Sequence, residues 1–369
     1  MAVLSLGSPA CKRGVAPNAF QRLALIPFEN LSGDSTLDWV STAAPAVLSN
    51  QLTGIPKTVV IIGGAVRDAY AQGATEVLHG YITRRAGALR IDAQIEDLTS
   101  HKTVERFEDS GGAVATLDKL AHAIDPAAHA FPIQDPTVLE AWVKAVRAQA
   151  GFEDVVSRAP DFALLYLTWT ESLVAHNDRA GALKVIETAL TRPSLKGDTD
   201  RARLELMKAE LEADVPGRAA AFARLAKLTP GDPNAVRGAA EANFRARRFP
   251  QAVEAYRAAI ALDPNNAAVL NLMGYAQALG GDLAGARATL EEYAKRPGQE
   301  SNGLDSLGEV HFFHGKFAEA EKYFLQSHEK NPALISGYGL FKAALSRRLA
   351  GDAPGADALD KLYIEYRAR

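Results

Sequence analysis

The sequence predicts a mostly helical α+β protein, in which a small mixed α/β domain is followed by an all-α solenoid of helical pairs. The first observation is a period of 34 residues: Pro230 and Pro264 lie one period apart, and Pro332 follows two periods later. The second is a set of short, branched apolar runs in the first third of the chain, which are typical of buried strands. A period of this length indicates stacked helix-turn-helix units that present a binding surface.

Small residues recur within the period. They form two sets, one of Ala240, Gly274 and Gly308 and one of Ala252, Ala286 and Ala320. Four positions after the second set stand the large apolar residues Tyr256, Leu290 and Phe324. A small side chain at a helix crossing lets two backbones approach, and a large neighbour fills the space beside it. Proline closes each unit because it cannot continue a helix.

Two stretches carry a family resemblance. The run Asn271-Leu272-Met273-Gly274-Tyr275 with Gly281-Asp282-Leu283 resembles the consensus of the tetratricopeptide repeat (TPR) family, as does Leu307-Gly308 with the run 315–320. Steps of 34 residues place repeat starts at 199, 233, 267, 301 and 335, with an earlier unit near Ala163 and a helix pair over 137–158. The resemblance implies a superhelical solenoid of about five to six repeats over 137–369, whose last unit is a cap.

The first third predicts the element order βαβαβββα. Strands are expected over 22–28 and 58–62, with a helix over 35–52 between them, and the segment 76–107 alternates like three antiparallel strands with a turn at 85–88. A helix over 113–124 closes the unit. This order predicts one mixed sheet with helices packed on it.

A second resemblance covers this part of the chain. The run 24–34, from Ala24 to Asp34, and the runs 77–87 and 89–97 resemble the TolB N-terminal-like domain, which often precedes TPR arrays in bacterial proteins. The domains expected are a flexible tail over 1–20, the TolB-like domain over 21–126, a linker over 127–136 and the solenoid over 137–369. Because the segment 125–136 contains Pro126, Pro132 and Pro136, we expect an extended linker there between two independently folding units.

The composition fits two globular parts without a membrane span. The chain has 369 residues, 47% of them apolar, and no stretch approaches the roughly 20 apolar residues that cross a membrane. With 41 basic and 44 acidic residues, bulk charge argues against a nucleic-acid partner. The basic run 245–248 is interpreted as a solvated helix end. The oligomeric state stays open.

The compartment also stays open. Cys11 is the only cysteine, so no disulfide forms within the chain. As encoded, the protein is expected in the cytoplasm. A periplasmic protein, or one lipid-anchored at Cys11, is the alternative if the start is truncated, although the apolar run before this residue is shorter than a signal core.

Catalytic signals are weak, and we predict no enzyme, no cofactor and no metal site. Gly63-Gly64 follows a strand but lacks both the dinucleotide pattern and the Walker lysine, so it is interpreted as a turn. His311 and His314 stand three apart, and His311 is interpreted as a core or rim histidine rather than a zinc ligand. The loop 32–34 is interpreted as a helix cap.

The predicted function is the binding of a protein or peptide partner in the concave groove of the solenoid, with the α/β domain as a docking or regulatory module. In the TPR family the first helix of each repeat lines that groove. The resemblance therefore implies these partner-binding residues: Arg237, Glu241, Phe244, Arg245, Asn271, Tyr275, Leu279, Asn302, Asp305, Glu309, Phe312 and Phe313. The alternative is a regulatory protein that senses a small molecule, bound between the loop 30–34 and the Gly63-Gly64 turn.

Overall fold

The structure is a computed structural model that describes residues 20–85, 87–192, 195 and 198–368. The predicted tail and Cys11 lie outside the described residues, apart from residue 20 itself. The described residues group into two compact units, one ending at Ala235 and the other beginning at Val236. The first unit contains the α/β domain and the first helical pairs, and the second contains the later repeats.

The α/β domain is built on one mixed sheet. Its strands are β1 (Gln21–Leu25), β2 (Glu29–Asn30), β3 (Thr58–Ile62), β4 (Glu76–Arg85), β5 (Ala88–Asp97) and β6 (Lys102–Gly111). Its helices are α1 (Asp38–Leu52), α2 (Val66–Ala71) and α3 (Ala113–Ile124), and a short 3-10 turn, Ser35–Leu37, precedes α1. The strand order is β3-β1-β4-β5-β6, with β2 also paired to β4. The predicted element order is confirmed, apart from the two-residue strand β2.

The central strands are parallel and the later ones antiparallel. In β1, Leu25 pairs with Ile62 of β3 on one side and with Leu78 of β4 on the other. The first strand ends at Leu25 instead of continuing to residue 28. The Phe28 ring covers Gly80, where an added Cβ atom would collide with it. The turn predicted between β4 and β5 includes Ala86, which lies outside the described residues.

The segment between α3 and the first solenoid helix has no regular structure, but it is packed. Phe131 is 1% exposed, and its ring meets that of Phe162 edge-on at 5.7 Å. The Gln51 side chain holds the segment to α1 by donating to the backbone oxygen of His129 at 3.0 Å. One buried core runs from Leu23 through this segment to Leu165. The structure thus differs from the expected extended linker, because the apolar side chains on both sides bury one another.

The rest of the chain is a run of helices joined by short loops. They are α4 (Pro136–Ala148), α5 (Phe152–Arg158), α6 (Ala163–Ala175), α7 (Arg179–Thr191), α8 (Asp198–Glu212), α9 (Val215–Leu228), α10 (Pro233–Arg245), α11 (Phe249–Leu262), α12 (Ala267–Leu279), α13 (Leu283–Ala294), α14 (Glu300–Phe313), α15 (Phe317–Lys330), α16 (Tyr338–Leu349) and α17 (Ala353–Arg367). The helix starts follow the predicted repeat starts within a few residues. The predicted fold class, a small mixed α/β domain followed by a long all-α run of helical pairs, is therefore confirmed.

The small residues lie at helix crossings, as the period predicts. A Cβ atom added at Gly274 would stand 2.6 Å from the Leu290 side chain, and one added at Gly308 would stand 2.5 Å from the Phe324 ring. Ala286 is fully buried at the same crossing as Gly274. No larger side chain fits at these positions without moving a helix.

We expect Ala286→Phe to destabilise the protein by roughly 1–3 kcal/mol or more, because the extra ring overpacks the crossing of α12 and α13. Arg287→Phe is the matched control, since Arg287 is exposed on the same helix. Urea unfolding of both variants measures the difference. Equal midpoints for the two would contradict the repeat register.

A recurrent cap starts the second helix of several repeats. The carboxylate of Asp282 accepts a hydrogen bond from the backbone nitrogen of Gly285 at 2.8 Å, and Asp352 caps Gly355 in the same way at 2.9 Å. Asp178 does so at 2.8 Å and Asp214 at 3.0 Å. Glycine suits the capped position because an added Cβ would collide with the aspartate carboxylate. The sequence carries this Asp-x-x-Gly pattern at 178–181, 214–217, 282–285 and 352–355.

Candidate partner-binding site

The candidate residues on α10 lie on or near the surface. Arg237 forms an ion pair with Glu241, with 3.5 Å between nitrogen and oxygen, and both side chains are partly exposed. Arg245 is exposed. The Phe244 ring is half-buried and meets Phe249 edge-on at 5.9 Å. A partner could reach the two arginines, whereas Phe244 is already partly packed.

The candidates on α12 and α14 contact one another and a lysine of α16. The Tyr275 hydroxyl donates to Oε2 of Glu309 at 2.6 Å. Lys342 Nζ donates to Oε1 of Glu309 at 2.8 Å and to Oδ2 of Asp305 at 2.6 Å. The Lys342 and Asp305 side chains are only 12% and 6% exposed. This network joins three successive first helices, so we interpret it as structural.

Burial and the hydrogen bonds within the network together determine its protonation. Burial by itself lowers the pKa of the Lys342 ammonium, but its hydrogen bonds to the two carboxylates raise it overall, so the ammonium stays charged. Burial raises the pKa of the Asp305 carboxyl, and Lys342 opposes that shift. The short contacts to Lys342 identify a charge-assisted pair, so we assign Asp305 as ionised. Burial, together with the bond to Glu309, also raises the pKa of the Tyr275 hydroxyl, which donates as a neutral phenol.

The two asparagines differ from one another. Asn302 donates from Nδ2 to the Tyr293 hydroxyl at 2.7 Å, and that hydroxyl donates to Gln299 at 2.6 Å. Asn271 has a buried Oδ1 atom without a hydrogen-bond partner among the described residues. Asn302 thus bonds to the preceding repeat, whereas the Oδ1 atom of Asn271 keeps an acceptor without a partner among the described residues.

Of the adjacent aromatic residues, one is packed and one is exposed. The Phe312 ring meets Phe317 at 5.5 Å and packs against the core of the last repeats. Phe313 is 58% exposed, and Leu279, one period earlier, is 45% exposed. Of the three rings that were expected to form an exposed row, those of Phe244, Tyr275 and Phe313, only the Phe313 ring is therefore largely exposed.

The surroundings of His311 and His314 fit a structural role for both side chains. His311 is 7% exposed, its ring lies 5.3 Å from that of Tyr323, and neither of its nitrogens has a hydrogen-bond partner among the described residues. Burial lowers its pKa, which favours the neutral ring. His314 Nε2 lies 2.9 Å from the backbone oxygen of Ala278. Within the described ranges, no group of three or more His, Cys, Asp or Glu side chains could hold a metal, and no helix is long and apolar enough to span a membrane.

The loop of the alternative ligand site is held by its own polar groups. Asn30 donates from Nδ2 to Oδ1 of Asp38 at 2.6 Å, and Ser32 donates to Oδ1 of Asn30 at 2.6 Å. Asp34 accepts from the backbone nitrogen of Thr36 at 2.9 Å and pairs with Arg84 at 2.6 Å. These bonds fit the interpretation of this loop as a helix cap.

The first unit contains a cleft of about 500 Å³ that was not predicted from the sequence. Helices α1, α6 and α8 each line the cleft with one face, whose residues are spaced i, i+3, i+4 and i+7. Residues of β3 and α10 complete the wall. The lining residues are Ala46, Ser49, Asn50, Thr53, Ile62, Leu164, Leu167, Thr168, Glu171, Arg203, Leu206, Met207, Glu210 and Asn234. Since α6 and α8 are first helices of successive repeats, the cleft lies on the repeat face that was expected to bind.

Comparisons with known proteins agree with the helical fold. The family model described as TPR repeat matches residues 247–281, which include α11 and α12. The comparison with curated proteins gave no significant match.

Several solved TPR structures are similar to this chain. The C-terminal part of a TPR repeat-containing protein from Cytophaga hutchinsonii shares 13% identity, covering 61% of this chain and 90% of that one, with a TM-score of 0.47. YrrB, described as a TPR protein with an unusual peptide-binding site, shares 12% over 50% and 95%, with a TM-score of 0.44. MamA from Desulfovibrio magneticus RS-1 shares 17% over 45% and 93%, with a TM-score of 0.40. None of these similarities identifies a function for this chain.

Proposed function

We propose that this protein is a binding scaffold that holds a peptide segment of a partner in the groove lined by the first helices of its repeats. The α/β domain acts as a docking module by supplying α1 as one wall of that groove. The observation that carries the proposal is the cleft between α1, α6 and α8, whose volume of about 500 Å³ is within the usual range of ligand sites. The resemblance of the α/β domain to the TolB N-terminal-like domain stays a hypothesis.

The lining of the cleft suits a peptide. Leu164, Leu167 and Met207 supply half-buried apolar surface. Asn50 and Asn234 add amide groups that can bind a peptide backbone. A mixture of apolar contact area and a few polar groups is what a groove needs to bind a segment in one register.

A random peptide library displayed on phage and selected on the intact protein tests the proposal. We expect selected peptides to bind Met207→Arg at least about tenfold more weakly, a loss of about 1.4 kcal/mol, because the new side chain fills and charges the cleft. Val215→Arg is the matched control, since Val215 is exposed outside the cleft lining. Phe313→Ala reports on the exposed ring of α14 in the same assay.

The outcome separates the possible locations. Weakening by Met207→Arg alone places binding in the cleft, and weakening by Phe313→Ala alone moves it to the later repeats. Peptides that bind both variants as well as the native protein would overturn the proposed groove.

Small-molecule sensing by the α/β domain is the second candidate function. A cavity of about 370 Å³ lies between β5, β6 and α3, and Thr116, which is 1% exposed, lines it with a buried Oγ1 that lacks a hydrogen-bond partner among the described residues. A thermal-shift screen of small polar organic compounds tests this function. A ligand of this cavity would stabilise the native protein and lose that effect in Thr116→Val.

A further inference from the structure

The cleft carries carboxylates that its surroundings do not neutralise. Glu171 of α6 is exposed and has no ion-pair partner among the described residues, and the same holds for Glu210 of α8. The cation that lines the cleft, Arg203, pairs instead with Asp200 at 3.9 Å. Two carboxylates therefore face an otherwise largely apolar space without a cation of their own.

The equivalent carboxylates in later repeats are all paired. Glu171 directly follows the fully buried Thr170, as Glu241 follows Ala240 and Glu309 follows Gly308. In its own repeat Glu241 has Arg237 at 3.5 Å, and Glu309 has Lys342 at 2.8 Å from the next first helix. The next first helix after α6 is α8, which lines the cleft near Glu171 with Leu206 and Met207. Of the carboxylates at this repeat position, Glu241 and Glu309 are thus paired, whereas Glu171, which lines the cleft, has no ion-pair partner among the described residues.

We infer that the partner segment bound in the cleft carries a lysine or arginine side chain, flanked by apolar residues, whose cation pairs with Glu171. This inference rests on the proposed groove binding and specifies its chemistry. The cation takes the place that Lys342 has beside Glu309, and the apolar neighbours cover Leu164, Leu167 and Met207. Glu210 adds negative potential at the rim and favours approach of a basic segment.

The surroundings of Glu171 strengthen this attraction. Partial desolvation of Glu171 raises the pKa of its carboxyl, although the side chain stays exposed. A charge pair formed in a partly dehydrated cleft is screened less than one on an open surface. A peptide cation therefore gains more at Glu171 than at a fully solvated glutamate.

Fluorescence anisotropy with defined peptides tests the inference. The probes are short labelled peptides of leucine, alanine and serine with one central residue, which is lysine, glutamine or glutamate. We expect the lysine peptide to bind the intact protein at least about tenfold more tightly than the glutamine peptide, a difference of about 1.4 kcal/mol, and its binding to weaken with added salt. Glu171→Gln should remove most of that difference.

A charge swap supplies the strictest check. Glu171→Lys should bind the glutamate peptide more tightly than the native protein does, and Glu254→Gln, on the exposed surface of α11, should behave as native. If all three peptides bind the native protein equally and Met207→Arg abolishes their binding, the inferred peptide cation is wrong, but the groove stands. Binding that Met207→Arg leaves unchanged would overturn the groove itself.

Discussion

A fragment that begins at Pro136 should lose the cooperative unfolding of its first helices. In the full chain, Leu139, Trp142 and Phe162 are buried in the same core as the sheet and α1. Removing the α/β domain exposes these side chains, and each fully exposed large apolar side chain costs roughly 1.5–3 kcal/mol. Circular dichroism and thermal unfolding should show reduced helix content per residue and a lower, broader transition than in the full chain.

A shorter fragment provides the control. The fragment 233–369 begins at α10 and contains none of the residues of that core, so its helices should keep more of their native content than α4 to α6 do in the longer one. If the fragment from Pro136 instead melts like the full chain, the shared core adds nothing to the stability of these helices. The segment 127–136 would then behave as the linker that the sequence predicts.

Replacing Lys342 with methionine should destabilise the protein by about 3–5 kcal/mol, the usual cost of removing one partner from a buried ion pair. The change leaves Asp305 and Glu309 side by side without their cation, and Asp305 is nearly inaccessible to water. Urea unfolding measures the loss. Lys322→Met is the matched control because Lys322 is exposed on α15.

Two further measurements test whether the unpaired carboxylates cause the loss of stability in Lys342→Met. Adding Asp305→Asn and Glu309→Gln to Lys342→Met should recover most of the stability, since no buried charge then remains unpaired. In the single variant the two carboxyl groups repel, so the folded state binds protons more readily than the unfolded state. The stability of this variant should therefore rise as the pH falls into the range where carboxyl groups titrate. An equally small loss of stability in Lys342→Met and Lys322→Met would refute the structural role of the network.

The network on α12, α14 and α16 also changes the choice of binding-site variants. Tyr275, Asp305 and Glu309 were expected to contact a partner, but each is already bonded within the chain. A Tyr275→Ala variant would remove a support of Glu309 and confuse loss of binding with loss of stability. Phe313 is free of this difficulty because its ring is 58% exposed.

The sequence by itself determined the repeat, its register and the strands of the α/β domain. The crossing of Gly308 with Phe324 and the strand Thr58–Ile62 could be predicted because both depend on local spacing: which side of a helix or strand a residue faces follows from its period. The same spacing placed Tyr275 and Glu309 on equivalent faces of the first helices of successive repeats.

Only the tertiary structure decided what those faces meet. Lys342 reaches Asp305 and Glu309 because α16 lies against their repeat at hydrogen-bonding distance, which spacing within one helix does not specify. Likewise, α1 was predicted as a helix, but its role as a wall of the cleft beside Glu171 depends on a core shared across residues 125–135. Contacts between elements distant in sequence arise from packing of the whole unit, so the pairing of a charge, or its lack of a partner, appears only there.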